Sequence, residues 1–228
     1  NVYKEDGKLV IKAIKEEVTN EFYVANSSVW TEAAATGEYT SASVMTNYSF
    51  YFGRVKVCAK VPTISCGGWP SITMYGISTE AWPLNGQVDI ASYFSGQLYH
   101  RFGWGYTTTS AFWNSAKTTF ISDEEREAYA NEYHTWLYEW DEDQCSIYVY
   151  GDETDEFGNF TDSTLLNTVD LSYTANLVGN KVNPFKWKYQ SIKFNLALGA
   201  SGGDINDENL PQMEIDYVEF MQYEWQFR

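Results

Sequence analysis

Positive charge is scarce in this chain: 15 Lys and Arg stand against 31 Asp and Glu, a formal net charge of −16. Nucleic acids and anionic membrane surfaces are gripped by basic patches, so neither is an expected partner. Histidine is nearly missing, with two residues in 228, and there are only five prolines. No apolar run approaches the ~20 residues that cross a bilayer, which argues against membrane insertion. The first residues carry no leader pattern, so the chain is expected to begin as a mature or truncated product. Cysteine is limited to three, an odd number. Cys58 and Cys66 flank a turn signal at Val61-Pro62-Thr63-Ile64, and they either bridge locally or stay two buried thiols. Cys145 is then left free or pairs with another chain. The acidic balance suits a secreted, extracellular or cell-surface protein. In that setting the sequons at Asn26, Asn47 and Asn159 mark surface positions able to carry glycans.

Aromatic residues, by contrast, are abundant at 18%, with 9 Trp and 18 Tyr. They serve core packing, and they also offer flat faces on which sugar rings stack; the count alone does not separate the two uses. Residues 1–228 suffice for one sizeable all-β domain. Asp6-Gly7 is a hairpin turn signal within residues 2–18. Residues 19–38 are polar and small and read as a loop, and Tyr39 to Met45 alternates as a strand. Phe50 to Val61 alternates again, and Ser122-Asp123-Glu124-Glu125 opens a short helix with a capping box. Trp104, Tyr106, Phe112 and Trp113 surround Thr107-Thr108-Thr109-Ser110 and read as an aromatic loop, the best candidate for sugar contact. His134 reads as a structural hydrogen bonder, since no metal-spaced ligands accompany it.

The stretch with most chemical content is Gly86-Gln87-Val88-Asp89-Ile90-Ala91-Ser92-Tyr93. Alternation makes it a strand with Gln87 and Asp89 on one face. Strict alternation would put Ala91 on that face, whereas a one-residue bulge near Ile90-Ala91 swings Ser92 onto it.

This spacing resembles the Glu-x-Asp-x-x-Glu strand of the retaining glycoside hydrolases of family 16, laminarinases and lichenases among them. By that resemblance Gln87 stands at the nucleophile position, Asp89 at the helper and Ser92 at the acid/base. The resemblance extends through Phe52-Gly53-Arg54-Val55, Lys60-Val61-Pro62 and Gly67-Gly68-Trp69-Pro70 to the final strands near Asn195-Leu196-Ala197-Leu198-Gly199 and Gln212 to Val218. Lys56 and Cys58 depart from it, replacing a charged pair expected near the cleft floor. Thr73 replaces a sugar-stacking Trp, and Trp69 is expected in the core. The implied fold is a β-sandwich, or jelly roll, of two curved antiparallel sheets with a concave cleft; set against the family, the domain is expected to lack the N-terminal outer strand. The resemblance also places His100 facing the cleft. Where the family binds calcium, Asp216 would supply one ligand; otherwise no cofactor is expected.

Retaining hydrolysis needs two carboxyl groups about 5–5.5 Å apart, one attacking the anomeric carbon and one protonating the leaving oxygen. Neither an amide at Gln87 nor a hydroxyl at Ser92 does this work, and loss of a catalytic unit typically costs about six decades of rate. The sequence therefore points to a pseudoenzyme that binds β-glucan or a related polysaccharide through Gln87, Asp89, Ser92, His100, Trp104 and Trp113. One alternative is a structural subunit docking other protein chains in an extracellular assembly. The other is an inactivated variant of an endo-β-glucanase.

Overall fold

A computed structural model describes residues 1–29, 32–63, 67–171, 184–199 and 202–222. The chain opens with the hairpin β1 (Val2–Glu5) and β2 (Lys8–Lys12). Asp6 and Gly7 both take positive φ, 48° and 86°, which a two-residue turn matched to strand twist requires. Strands β6 (Gly53–Lys60), β11 (His134–Trp140), β12 (Gln144–Tyr150), β13 (Ser163–Asp170) and β15 (Gln212–Met221) join this hairpin in a seven-stranded antiparallel sheet, ordered β1-β2-β15-β6-β11-β12-β13. A six-stranded antiparallel sheet packs against it, ordered β10-β9-β8-β7-β14-β5. Its members are β5 (Ser43–Met45), β7 (Gly68–Gly76), β8 (Gln87–Phe94), β9 (Gln97–Thr107), β10 (Ser110–Thr118) and β14 (Gln190–Leu198). A small ribbon of β3 (Ile14–Thr19) and β4 (Thr36–Thr40) stands apart. This is the all-β sandwich that the sequence implied.

One core cluster joins the two sheets. Val55, Val57 and Ala59 of β6 meet Trp136, Tyr138 and Trp140 of β11 and Ile72, Met74, Val88 and Phe102 of the other sheet, all essentially inaccessible. Fully burying a side chain of this size is worth about 1.5–3 kcal/mol, so this layer dominates stability. Tyr138 also spans the layer, since Gln190 Nε2 donates to its hydroxyl at 3.2 Å. The helix α1 (Asp123–Ala130) begins at the Ser122 cap: Glu125 N donates to Ser122 Oγ at 3.1 Å, and the Glu125 carboxylate reaches back one residue past the cap to accept from Ile121 N at 2.5 Å. His134 stacks on Tyr129 at 3.5 Å and bonds its carbonyl at 2.9 Å, a structural role.

Three expectations fail. Tyr39 to Met45 is not one strand: β4 and β5 lie in different sheets, and the chain crosses between them at Ser41-Ala42. The residues from Trp104 to Trp113 are a β-hairpin rather than a loop, with Thr108 and Thr109 at its tip. Lys56 and Cys58 lie nowhere near the floor of a cleft. They point outward from the seven-stranded sheet, where Lys56 meets Glu219 at 3.0 Å and Cys58 is bonded to Thr135. Cys58 and Cys145 are free thiols. Cys66, the second half of the proposed bridge, lies outside the described residues. Burial raises both thiols, Cys145 to about 12, so neither is a thiolate near neutrality.

Candidate active site

The face that matters is the outward face of the six-stranded sheet, and register defines it. Strand β8 pairs with β7 as Gln87↔Tyr75, Asp89↔Thr73 and Ser92↔Ser71, and with β9 as Gln87↔Gly103, Asp89↔Arg101 and Ser92↔Tyr99. The partners step by two on both neighbours while β8 steps by two and then three. Ile90-Ala91 therefore contains a bulge, and Gln87, Asp89 and Ser92 share one face. His100 holds the bulge from behind. Its Nδ1 lies 2.7 Å from the Ile90 carbonyl and its Nε2 2.9 Å from Thr118 Oγ1. A carbonyl only accepts, so Nδ1 carries the proton and Nε2 accepts from the threonine. Burial lowers the His100 pKa to about 4, which keeps the ring neutral.

Asp89 is 1% exposed, and both its oxygens are engaged. Gln87 Nε2 donates to Oδ1 at 2.6 Å, while Arg101 donates to Oδ2 through Nε at 2.8 Å and Nη2 at 2.5 Å. Burial pushes the Asp89 carboxyl up; the Arg101 charge and the Gln87 and Arg101 hydrogen bonds pull it back. Arg101 in turn is boxed by aromatic rings, with its guanidinium carbon 4.6 Å from the Trp113 centroid, 5.0 Å from Tyr99 and 5.3 Å from Phe94. Trp113 lies flat over Gly103, where a Cβ would come within 2.6 Å of the indole. Glycine at 103 is what lets that ring cross the sheet.

The structure thus sorts the six candidate contact residues. Gln87 and Trp113 are on the outward face and partly accessible, Trp113 at 39%. Asp89 and Ser92 share that face but are sealed, at 1% and 2% exposure, so no sugar reaches them as the side chains stand. His100 does not face the cleft: it is even-numbered on a strand whose odd residues point outward, and it is fully buried. Trp104 fails for the same reason, packing inward 6.0 Å from Phe185. Trp69 is the converse case, sharing the outward parity of Ser71 and Thr73 and contacting Phe94 at 5.5 Å instead of entering the core. Asp216 is the extra residue of a bulge between Ile215 and Tyr217, exposed. Among the described residues no three carboxylate, His or Cys groups gather around a common point. Asn26, Asn47 and Asn159 are all exposed.

Sequence reasoning missed Arg101. A signal was present: Ser95-Gly96, both at positive φ (46° and 81°), is a two-residue hairpin turn that pairs Phe94 with Gln97. Counting back through the bulge sets Arg101 opposite Asp89.

The glycosyl hydrolases family 16 model matches residues 3–174, the motif strand included. The chain belongs to that family. Among relatives of this family 16 chain, a β-1,3-glucan-binding protein of Penaeus monodon is 27% identical over 83% of the chain and 54% of the relative. A glucan endo-1,3-β-glucosidase A1 of Niallia circulans is 27% identical over 96% of the chain and 30% of the relative. The family 16 chain therefore spans about half or less of these two proteins. Among solved structures, one from work on gut microbiota endo-acting O-glycanases that initiate mucin breakdown superposes with a TM-score of 0.77, at 28% identity, covering 96% of this chain and 75% of that one. A Glu→Ser variant of a Z. galactanivorans laminarinase, in complex with laminaritriose and laminaritetraose, gives 0.68 at 25% identity, covering 97% and 81%.

Proposed function

We propose that this family 16 chain binds a polysaccharide of the β-glucan kind on the outward face of its six-stranded sheet and does not hydrolyse it. One observation carries the reading. At the three motif positions the only carboxyl group is Asp89, which is buried and held by Gln87 and Arg101. Two carboxyl groups within reach of a glycosidic bond are the minimum for retention with double displacement. The floor offers a neutral amide, a sealed carboxylate and a sealed hydroxyl.

Binding has independent support. Of the two relatives with curated names, one is called a binding protein and the other a glucanase. The laminarinase variant with Ser in place of Glu was captured with oligosaccharides, so such a change is compatible with occupancy in that protein. On this chain the accessible contact groups are Trp113, with Trp82 6.1 Å away and 42% exposed, and the Gln87 amide. Trp113 is a contact expected from sequence, and Trp82 joins it in place of Trp104 and His100. An extracellular location belongs to the same proposal, with the exposed sequons in keeping with it.

The test combines two measurements on the purified chain. Reducing-sugar release from laminarin and lichenan between about pH 4 and pH 8 should not exceed a heat-killed control. Titration with laminari-oligosaccharides should quench tryptophan fluorescence saturably, and Trp113→Ala should lose the response. Sustained hydrolysis would overturn the inactive reading, and absence of any saccharide response would overturn the binding reading.

A further inference from the structure

Charge is distributed unevenly between the two sheets. The six strands of the site-bearing sheet contain one acidic residue, Asp89, and three basic ones, Arg101, Lys117 and Lys193. That is an excess of positive charge in a chain whose acidic residues outnumber its basic ones 31 to 15. All three bases have outward parity. Arg101 is opposite Asp89, Lys117 is opposite Tyr99, and Lys193 is opposite Thr73. The single carboxylate is already neutralised by Arg101.

Lys193 is the informative member. It is half-buried, it makes no ion pair among the described residues, and its ammonium lies 5.5 Å from the Tyr75 ring centroid. Thr73 beside it is too short to cover it. Arg101 gives Nε and Nη2 to Asp89, leaving Nη1 with no hydrogen-bond partner among the described residues. Glu80, in the loop next to β7, is already tied to Lys188. A cation on this face with no ion-pair partner among the described residues is open to an anionic group of a ligand.

We propose that the ligand of this face is an acidic saccharide, a glycan bearing carboxylate or sulfate groups, with Lys193 as the group that reads the anion and Lys117 as a second contact. The sugar plane would stack on Trp113 while the anionic substituent reaches across Thr73 toward Lys193. The inference rests on the glycan-binding reading above and specifies its substrate class.

The test titrates the whole chain with three probes of matched length: neutral laminari-oligosaccharides, oligogalacturonates and sulfated laminari-oligosaccharides. Poly-glutamate serves as an anionic control without sugar. At least one acidic saccharide should bind about tenfold tighter than the neutral one, the worth of one charge-assisted contact. That advantage should vanish in Lys193→Gln, return in Lys193→Arg, and shrink as salt rises from about 20 mM to about 500 mM. The uronate and sulfate arms identify which anion is read. Equal affinity for neutral and acidic probes would overturn the inference and leave the glycan-binding reading standing. Poly-glutamate binding as tightly as the acidic sugars would overturn it in favour of unspecific charge. No response to any saccharide would overturn both. Lys193→Gln carries no fold risk that would blur the result, since Lys193→Arg and the Trp113 response report on the integrity of the face.

Discussion

The two outward faces of the sandwich obey the same alternation yet are built on opposite electrostatic plans. On the seven-stranded sheet acidic and basic residues occur in equal number, and the pairs they form are solvated. Arg54 with Glu139 is 47% and 23% exposed, and Lys56 with Glu219 is 24% and 49% exposed. Pairs of this kind contribute between zero and about 1 kcal/mol. On the six-stranded sheet there is one pair, Arg101 with Asp89, at 14% and 1% exposure. Its attraction is offset by the cost of stripping both charges of water, and an apolar pair of similar size would serve stability as well. A fold has no need of such a pair on that face. The first face is a solvated surface, whereas the second carries one pair stripped of water.

The largest expected effect breaks this comparison directly. Arg101→Ala leaves a buried carboxylate without a counter-charge and should cost about 3–5 kcal/mol in urea unfolding. Arg54→Ala, which strips a solvated pair, should cost no more than about 1 kcal/mol. Adding Asp89→Leu to an Arg101→Met background should recover most of the loss. Equal costs for the two arginines would erase the distinction between the faces.

A second prediction uses pH. The His100 pKa in the fold, about 4, lies below its ordinary 6.5, so the unfolded chain binds the proton more readily. Stability from this residue is present in full above pH 6.5, fades as pH falls, and is lost below about pH 4. The shift corresponds to about 3 kcal/mol. Carboxyl groups held low, such as Glu214 against Tyr133, also lose their contribution on acidification. Asp89, held high by burial, acts in the opposite sense. His100→Asn isolates the histidine. Melting temperature followed from about pH 7 to pH 4 should fall less steeply in the variant than in the parent. Parallel curves would remove His100 as the acid-sensitive link behind the bulge.

Smaller again is the effect of Trp113→Ala on saccharide affinity, about five- to tenfold, the value of one aromatic face. Trp104→Ala, facing inward, should reduce stability and leave affinity unchanged once folded protein is counted. The reverse pattern would mean the faces have been assigned the wrong way round.

The least effect is expected from restoring the two motif carboxylates. Gln87→Glu with Ser92→Glu should release no reducing sugar above background from laminarin. Arg101 would lie across the new acids and Thr73 would still leave a stacking face missing. Measurable turnover would show that the arginine moves aside and that the site is closer to catalysis than its buried floor implies.

How much of this was legible beforehand follows from the range of each interaction. The hairpin at Asp6-Gly7, the capping box at Ser122 and the β-sandwich class all rest on residues a few positions apart or on periodicity. Local backbone sterics and pleating decide those, so the sequence by itself determined them. The sides taken by His100, Trp104 and Trp69 were read wrongly, because parity means nothing until a strand is registered against its neighbour. A one-residue slip sends every side chain to the other face. The same holds for Arg101, twelve positions from Asp89 along the chain and beside it only through the β8–β9 register. Lys193 is more distant still, brought next to Thr73 by β14 returning between β7 and β5. Only tertiary structure decided those neighbours, since hydrogen-bonded pairing across the sheet, not sequence distance, sets which charges share a face.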